Sequence, residues 1–151
     1  MIYSSIVKMK IRQTLDDANN HRWDKVTEAL VPNAHHRVSG DHALGGVRHD
    51  KQSVRKWFER LGRVLPGLHI TPTDVTVQGW PWNTRVFAQW DSKAPLIDGS
   101  DYINRGLLVF ILRWGRVHSI EEYQDTQAIA RALQAQSAAG VDEADAEPIV
   151  S

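Results

Sequence analysis

A chain of 151 residues, 42% hydrophobic and 24% charged, is long enough to bury one sizeable core. It has no cysteine, which excludes disulfides, thiolate metal sites and cysteine nucleophiles. The formal net charge is zero, but residues 137–151 hold Asp142, Glu143, Asp145 and Glu147 with no Lys or Arg, leaving a mildly basic body whose charge is too dispersed for a nucleic-acid surface.

Along the chain no apolar run approaches the ~20 residues that a membrane span needs, and none near the N-terminus reads as a signal peptide. A cytoplasmic protein with no membrane and no nucleic-acid partner is expected. Val7, Ile11 and Leu15 recur at every fourth position and predict an amphipathic helix ending near Asn19-Asn20. Trp23, Val26 and Leu30 share one face of a second, short helix, with Pro32 just past its end. Asn33 to Val38 reads as a short strand. The loop from Gly40 to Gly46 holds three glycines, which permit positive φ, but no Gly-Lys-Ser/Thr follows, so it is not a phosphate loop. Asp50 to Leu61 predicts a helix with Val54, Trp57, Phe58 and Leu61 on one face, Asp50 as N-cap and Gly62 near its end. Pro66-Gly67 then forces a turn.

From Leu68 the pattern changes to period two. His69 to Gln78, Arg85 to Trp90, Tyr102 to Arg113 and the stretch after Gly115 predict four strands. They are joined by Gly79-Trp80-Pro81-Trp82-Asn83, by a polar loop between Pro95 and Gly99, and by Trp114-Gly115. Ile129, Ala132 and Leu133 mark a last helix over 127–136. Residues 137–151 are Ala-rich and acidic and bury too little apolar area to offset their ordering entropy, so a disordered tail is expected behind a single domain over 1–136. Helices ahead of a run of antiparallel strands predict an α+β roll, its bent sheet wrapped around the helices.

The order of elements, GDHALGGVRHD before WFERL, the GWPW turn, and YINRG leading to LRWGRVHSIEEYQDT resemble the SnoaL-like branch of the nuclear transport factor two superfamily, which also holds ketosteroid isomerase, scytalone dehydratase and limonene epoxide hydrolase. The resemblance covers about Ile6 to Leu133. It implies a cone-shaped α+β barrel with one deep apolar pocket, often dimerised through the sheet. It also implies an Asp near the end of the last strand as acid/base, a place that Asp125 matches. The Asp-Arg-Asp arrangement of the epoxide hydrolases is not reproduced, because Asp101 and Arg105 are four apart and in the opposite order.

Residue chemistry gives the same stretch two readings. Tyr123 and Asp125 share one strand face, so Asp125 is a candidate general base in a pocket. Asp125 also fits the N-cap of the last helix. Glu121 has the same parity, but a second carboxylate in a dry pocket is costly unless paired, which places it in the wetter part of the sheet. His35 and His36 alternate, so only one faces inward; His36 and His42 are the candidate acid/base partners. No His-x-x-x-His or other tight ligand spacing occurs, and neither metal nor cofactor is expected. Tyr123, Trp57, Trp90, Tyr102 and Asn104 are the candidate ligand-binding residues, an aromatic wall with a few polar contacts. The expected function is cofactor-independent proton transfer on a small apolar carbonyl compound, by isomerisation, cyclisation or dehydration. A non-catalytic binding module with the same pocket is the alternative, and an epoxide hydrolase a third reading.

Leu107 to Leu112 is apolar at every position and supplies both faces of one strand. With Leu108, Phe110 and Leu112 taken as the outward set, an uncovered apolar patch results, and a homodimer through the outer sheet face is expected.

Overall fold

The computed structural model describes residues 2–151. The elements run α1 (Ile2–Asn19), α2 (Trp23–Glu28), β1 (Leu30–Val38), β2 (Gly46–Arg48), α3 (Lys51–Val64), β3 (His69–Trp80), β4 (Asn83–Pro95), β5 (Asp101–Arg113), β6 (Arg116–Gln124) and α4 (Thr126–Ala138), with a 3-10 turn over Asp142–Asp145. The six strands form one mixed sheet in the order β2-β1-β6-β5-β4-β3. Only the β1–β6 pair is parallel. This is an α+β cone: α1 lies along β3, α3 along β1, and the sheet's inner face meets the helices.

The α1 stripe of Val7, Ile11 and Leu15 is buried against Val75, Val86, Ala88 and Phe110 of the sheet. Asp50 caps α3, its carboxylate accepting from Ser53 N at 2.7 Å. The helix passes Gly62 and ends at Val64, three residues beyond the predicted end. Gly62 is there for space: a Cβ would lie 2.8 Å from Cζ2 of Trp23, whose indole anchors α2. That indole also stacks on His21 and Phe58. Pro32 lies inside β1 rather than after a helix. The β1–β6 register is interrupted between Leu30 and His35, so its missing N–H costs no ladder bond. The glycine loop yields β2, an edge strand that the sequence pattern does not announce because it is only three residues long.

Two departures from expectation bear on function. On β5 the inner set is Leu108, Phe110 and Leu112, all buried; the outward set is Leu107, Val109 and Ile111. The tail is not disordered but packed. Glu143 pairs with Arg60 and with Arg63, at 3.2 and 2.7 Å, and Ala144 is buried beside α4. The final residues strap β2: Ile149 O accepts from Arg48 Nη1 at 2.6 Å, and Ser151 N donates to Val47 O at 3.3 Å. Composition misses this because the ordering energy comes from charge-assisted bonds to basic residues far away in sequence. Truncation before Glu147 removes one acceptor of a buried guanidinium and is expected to lower stability by about 2 kcal/mol in urea titrations.

Candidate active site

The inner face of the sheet and the helices enclose a cavity of about 110 Å³. Its walls are mostly apolar, with Ile11, Leu15, Val26, Phe58, Leu108 and Phe110 among them. The volume is below that of the ~150 Å³ engineered cavity known to hold benzene, so anything larger than a very small ligand requires the walls to move.

Into this apolar space β6 sends Glu122. Burial pushes its carboxyl up to about 7, against the lowering pull of the Arg48 charge. The carboxylate has no hydrogen-bond partner among the described residues. Glu122 pairs in register with Val38 of β1 and Leu108 of β5. His36, two residues back on β1, lies opposite Ile120, on the same face as Glu122.

His36 is fully buried and lines the cavity. Its ring packs edge-on to Trp57 at 4.7 Å and against Phe58 at 6.0 Å. Arg48 Nε donates to His36 Nδ1 at 2.9 Å. A guanidinium only donates, so Nδ1 holds the lone pair and the ring proton sits on Nε2. Burial, then the adjacent Arg48 charge, holds the imidazole pKa well below its ordinary value. His36 is therefore a neutral donor through Nε2–H, which has no protein acceptor among the described residues.

Arg48 is itself fully buried, and burial lowers its pKa to about 10. Its Nη1 donates to Gly45 O at 2.9 Å and to Ile149 O, and its Nη2 to Gly46 O at 2.9 Å. At the other end of the cavity Asn104 Nδ2 donates to the Tyr102 hydroxyl at 2.8 Å, and Ser92 lies beside the same hydroxyl. Burial raises the Tyr102 pKa to about 12, so the proton stays on. Trp90 Nε1 and Ser92 Oγ are buried without a partner among the described residues. Trp90 crosses β5 at Gly106, where a Cβ would come within 2.5 Å of its Cζ2.

Of the residues singled out in the sequence, His36, Trp57, Trp90 and Tyr102 meet at this cavity. Asn104 acts behind Tyr102. Asp125 does not line the cavity. It is exposed and caps α4, accepting from Gln127 N at 3.0 Å and Ala128 N at 3.2 Å, and it borders a separate open cleft with Ser92, Asn104 and Arg105. His42 stays in the glycine loop, where Leu44 N donates to its Nδ1 at 3.2 Å and its Nε2 donates to Ser39 O at 3.0 Å. Tyr123 points to the outer face, its hydroxyl bonded to Glu121 at 2.8 Å. Among the described residues no group of three or more His, Asp or Glu is placed to hold a metal ion.

Glu122, which the sequence reading did not single out, faces inward because of an irregularity in β6. In β6, Val117 opposes Leu112 and Ser119 opposes Ile111, so His118 is an extra residue in a β-bulge. Val117 and Ile120 both face inward across it. The bulge reverses the parity of everything that follows, turning Glu122 and Gln124 in and Tyr123 and Asp125 out. Ile120 was the signal available in the sequence: the apolar residue nearest the strand end shares its parity with Glu122.

The SnoaL-like domain model matches residues 11–120. The chain belongs to the SnoaL-like family. No curated protein matches this SnoaL-like chain by sequence. Solved structures do match in fold. Bal32a, from a soil-derived mobile gene cassette, is 20% identical with a TM-score of 0.70, over 80% of this chain and 91% of that one. TerC co-crystallised with polyporic acid is 16% identical, TM-score 0.72, covering 83% and 96%. A putative SnoaL-like polyketide cyclase from Jannaschia sp. CCS1 is 16% identical, TM-score 0.70, covering 85% and 92%. At these identities the likeness establishes the SnoaL-like fold alone.

The raised Glu122 carboxyl has a direct consequence for stability. Below pH 4.5 the folded and unfolded states both hold the proton, and above that only the folded state does, until its own pKa near 7. Stability therefore falls as pH rises from 4.5 to about 7, and the full cost is present above it. Glu122→Gln removes this cost and is expected to be more stable than wild type at pH 8, by on the order of 3 kcal/mol, with no difference at pH 4. Urea titrations at the two pH values check it.

Proposed function

We propose that the cavity carries out cofactor-independent proton transfer on a small apolar carbonyl compound, in an isomerisation, cyclisation or dehydration. The observation that carries this reading is Glu122, a carboxylate with a pKa near 7 and no protein hydrogen bond, in an otherwise apolar cavity. Its carboxylate takes the proton next to the carbonyl. The neutral His36 Nε2–H and the Tyr102 O–H are the candidate donors for the oxyanion that develops. A neutral imidazole suits this role, because it stabilises the oxyanion without first losing a proton of its own to Glu122. The neighbours described as a putative polyketide cyclase and as co-crystallised with polyporic acid are in line with a small organic ligand.

Proton abstraction can be followed without an identified product. Small cyclic and open-chain ketones are incubated with the protein in D2O, and deuterium exchange at the carbon beside the carbonyl is followed by NMR. Exchange by the wild type is expected to rise with pH and level off above about 7, the titration of Glu122. Glu122→Gln is expected to lose about 10²–10⁴-fold in rate. Asp125→Asn, at the exposed cap, is expected to keep the wild-type rate. An exchanging wild type whose Glu122→Gln variant is equally fast sinks the assignment. A ligand that binds and never exchanges points to the non-catalytic reading.

We also propose that two copies pack through the outer sheet face. Phe87, Leu107, Val109 and Ile111 form a part-exposed apolar strip there, with Phe87 opposite Val109 in register. Helix α4 does not cover it, because Ile129, Ala132 and Leu133 pack inward on Leu61, Leu65 and Tyr102. Val109→Glu places a charge in the middle of the strip and is expected to convert the dimer to monomer in sedimentation equilibrium. A wild type that already sediments as a monomer overturns the proposal.

A further inference from the structure

One end of the sheet carries an aromatic cluster that takes no part in the cavity. Trp80, Trp82 and Trp114 are 63%, 55% and 72% exposed, on the β3–β4 and β5–β6 turns. Trp80 and Trp82 stack with centroids 5.9 Å apart and planes 9° apart, and Trp82 tilts against Trp114 at 6.2 Å. Trp114 N donates to Pro81 O at 2.6 Å and ties the two turns together. The first turn of α1 docks beside them. The Tyr3 hydroxyl donates to Thr84 Oγ1, and Thr84 donates to Trp80 O at 2.7 Å. Ile2, 83% exposed, and the exposed Ile6 flank Tyr3.

Charge is sorted in the same direction. Residues 2–8, 77–87 and 109–118, which supply this end, contain no Asp or Glu. They contribute Lys8, Arg85, Arg113 and Arg116, and these arginines make no ion pair among the described residues. Arg116 and Arg113 face each other across the turn. Arg116 also donates to the carbonyls of Ala29 and Leu30.

We propose that this end is a docking surface for an anionic phospholipid membrane. The exposed indoles suit the headgroup level, aliphatic Ile2 and Ile6 suit the acyl boundary, and arginines without an ion pair suit lipid phosphates. A nucleic acid fits less well. Trp80 and Trp82 turn faces toward each other rather than offering both to bases, and Ile2 and Ile6 have nothing to meet on a phosphodiester strand. The contact is peripheral: among the described residues no helix is long and apolar enough to cross a membrane. The lack of a spanning run, from which no membrane partner was expected, does not bear on a surface contact.

The test is co-sedimentation with vesicles of phosphatidylcholine alone and of phosphatidylcholine mixed with phosphatidylglycerol. The wild type is expected to pellet with the anionic vesicles only, and to be released by high salt. Arg113→Gln is expected to weaken partitioning by about fivefold, the equivalent of one surface cation. Trp82→Ala combined with Trp114→Ala is expected to weaken it by at least about tenfold. Brominated lipid is expected to quench part of the tryptophan emission of the bound wild type, a readout that holds if the double variant does not fold. Failure to bind either vesicle, unchanged binding by the folded double variant, or absence of quenching in the bound state overturns the proposal. So does tighter retention by a single-stranded oligonucleotide that depends on the same residues.

Discussion

The bond from Arg48 to His36 is the constraint on which the rest of the site depends. A guanidinium sealed from water must be hydrogen-bonded by the protein, because an unpaired buried charge is among the costliest defects a fold can carry. Here the acceptors come from three places: the glycine loop at Gly45 and Gly46, the C-terminal strap at Ile149, and the ring of His36. Satisfying Arg48 therefore fixes the loop path, holds the strap on β2 and sets the tautomer of the histidine. The Trp57 ring adds a further contact 5.7 Å from the guanidinium carbon. One buried cation thus joins segments that are far apart in sequence and faces their common product, a neutral imidazole, into the cavity.

The same cation explains how Glu122 and His36 can share an apolar enclosure. Burial raises the carboxyl to about 7, and the Arg48 charge opposes that rise. Burial and the Arg48 charge act in the same direction on His36, holding it neutral. A single positive charge moves one group toward ionisation and the other away from it. The result is two neighbouring groups with separated proton affinities, the condition for assigning one as base and the other as donor.

Much of the fold was legible because local chemistry and tertiary structure agree. Asp50 caps α3, the α1 stripe faces the sheet, and the Trp114-Gly115 turn adopts positive φ at both residues, 52° and 76°, as a two-residue hairpin requires. His36, Trp57, Trp90 and Tyr102 were legible for the same reason: each lies on the apolar parity of its element. What was not legible arises from pairing between strands. The bulge at His118 depends on the register of β6 against β5, which no periodicity in β6 alone reports. Arg48 was hidden because Arg is mostly exposed in proteins, and its burial depends on acceptors as far away as Ile149. The strap was hidden because an acidic, Ala-rich composition says nothing of the arginines on α3 waiting for Glu143.

Helix α2 has a consequence for traffic through the cavity. It is six residues long, has no side-chain cap, and contributes Lys25 and Val26 to the cavity wall. So short a helix has almost no stability of its own. It stays in place through the Trp23 indole, lodged over Gly62 between His21 and Phe58. The buried Val26 and Thr27 and the Asp24–Arg55 ion pair hold it too, so its local opening costs more than the release of Trp23 and less than unfolding the sheet. Any passage by way of α2 therefore depends on how firmly that tryptophan sits against the missing side chain at Gly62.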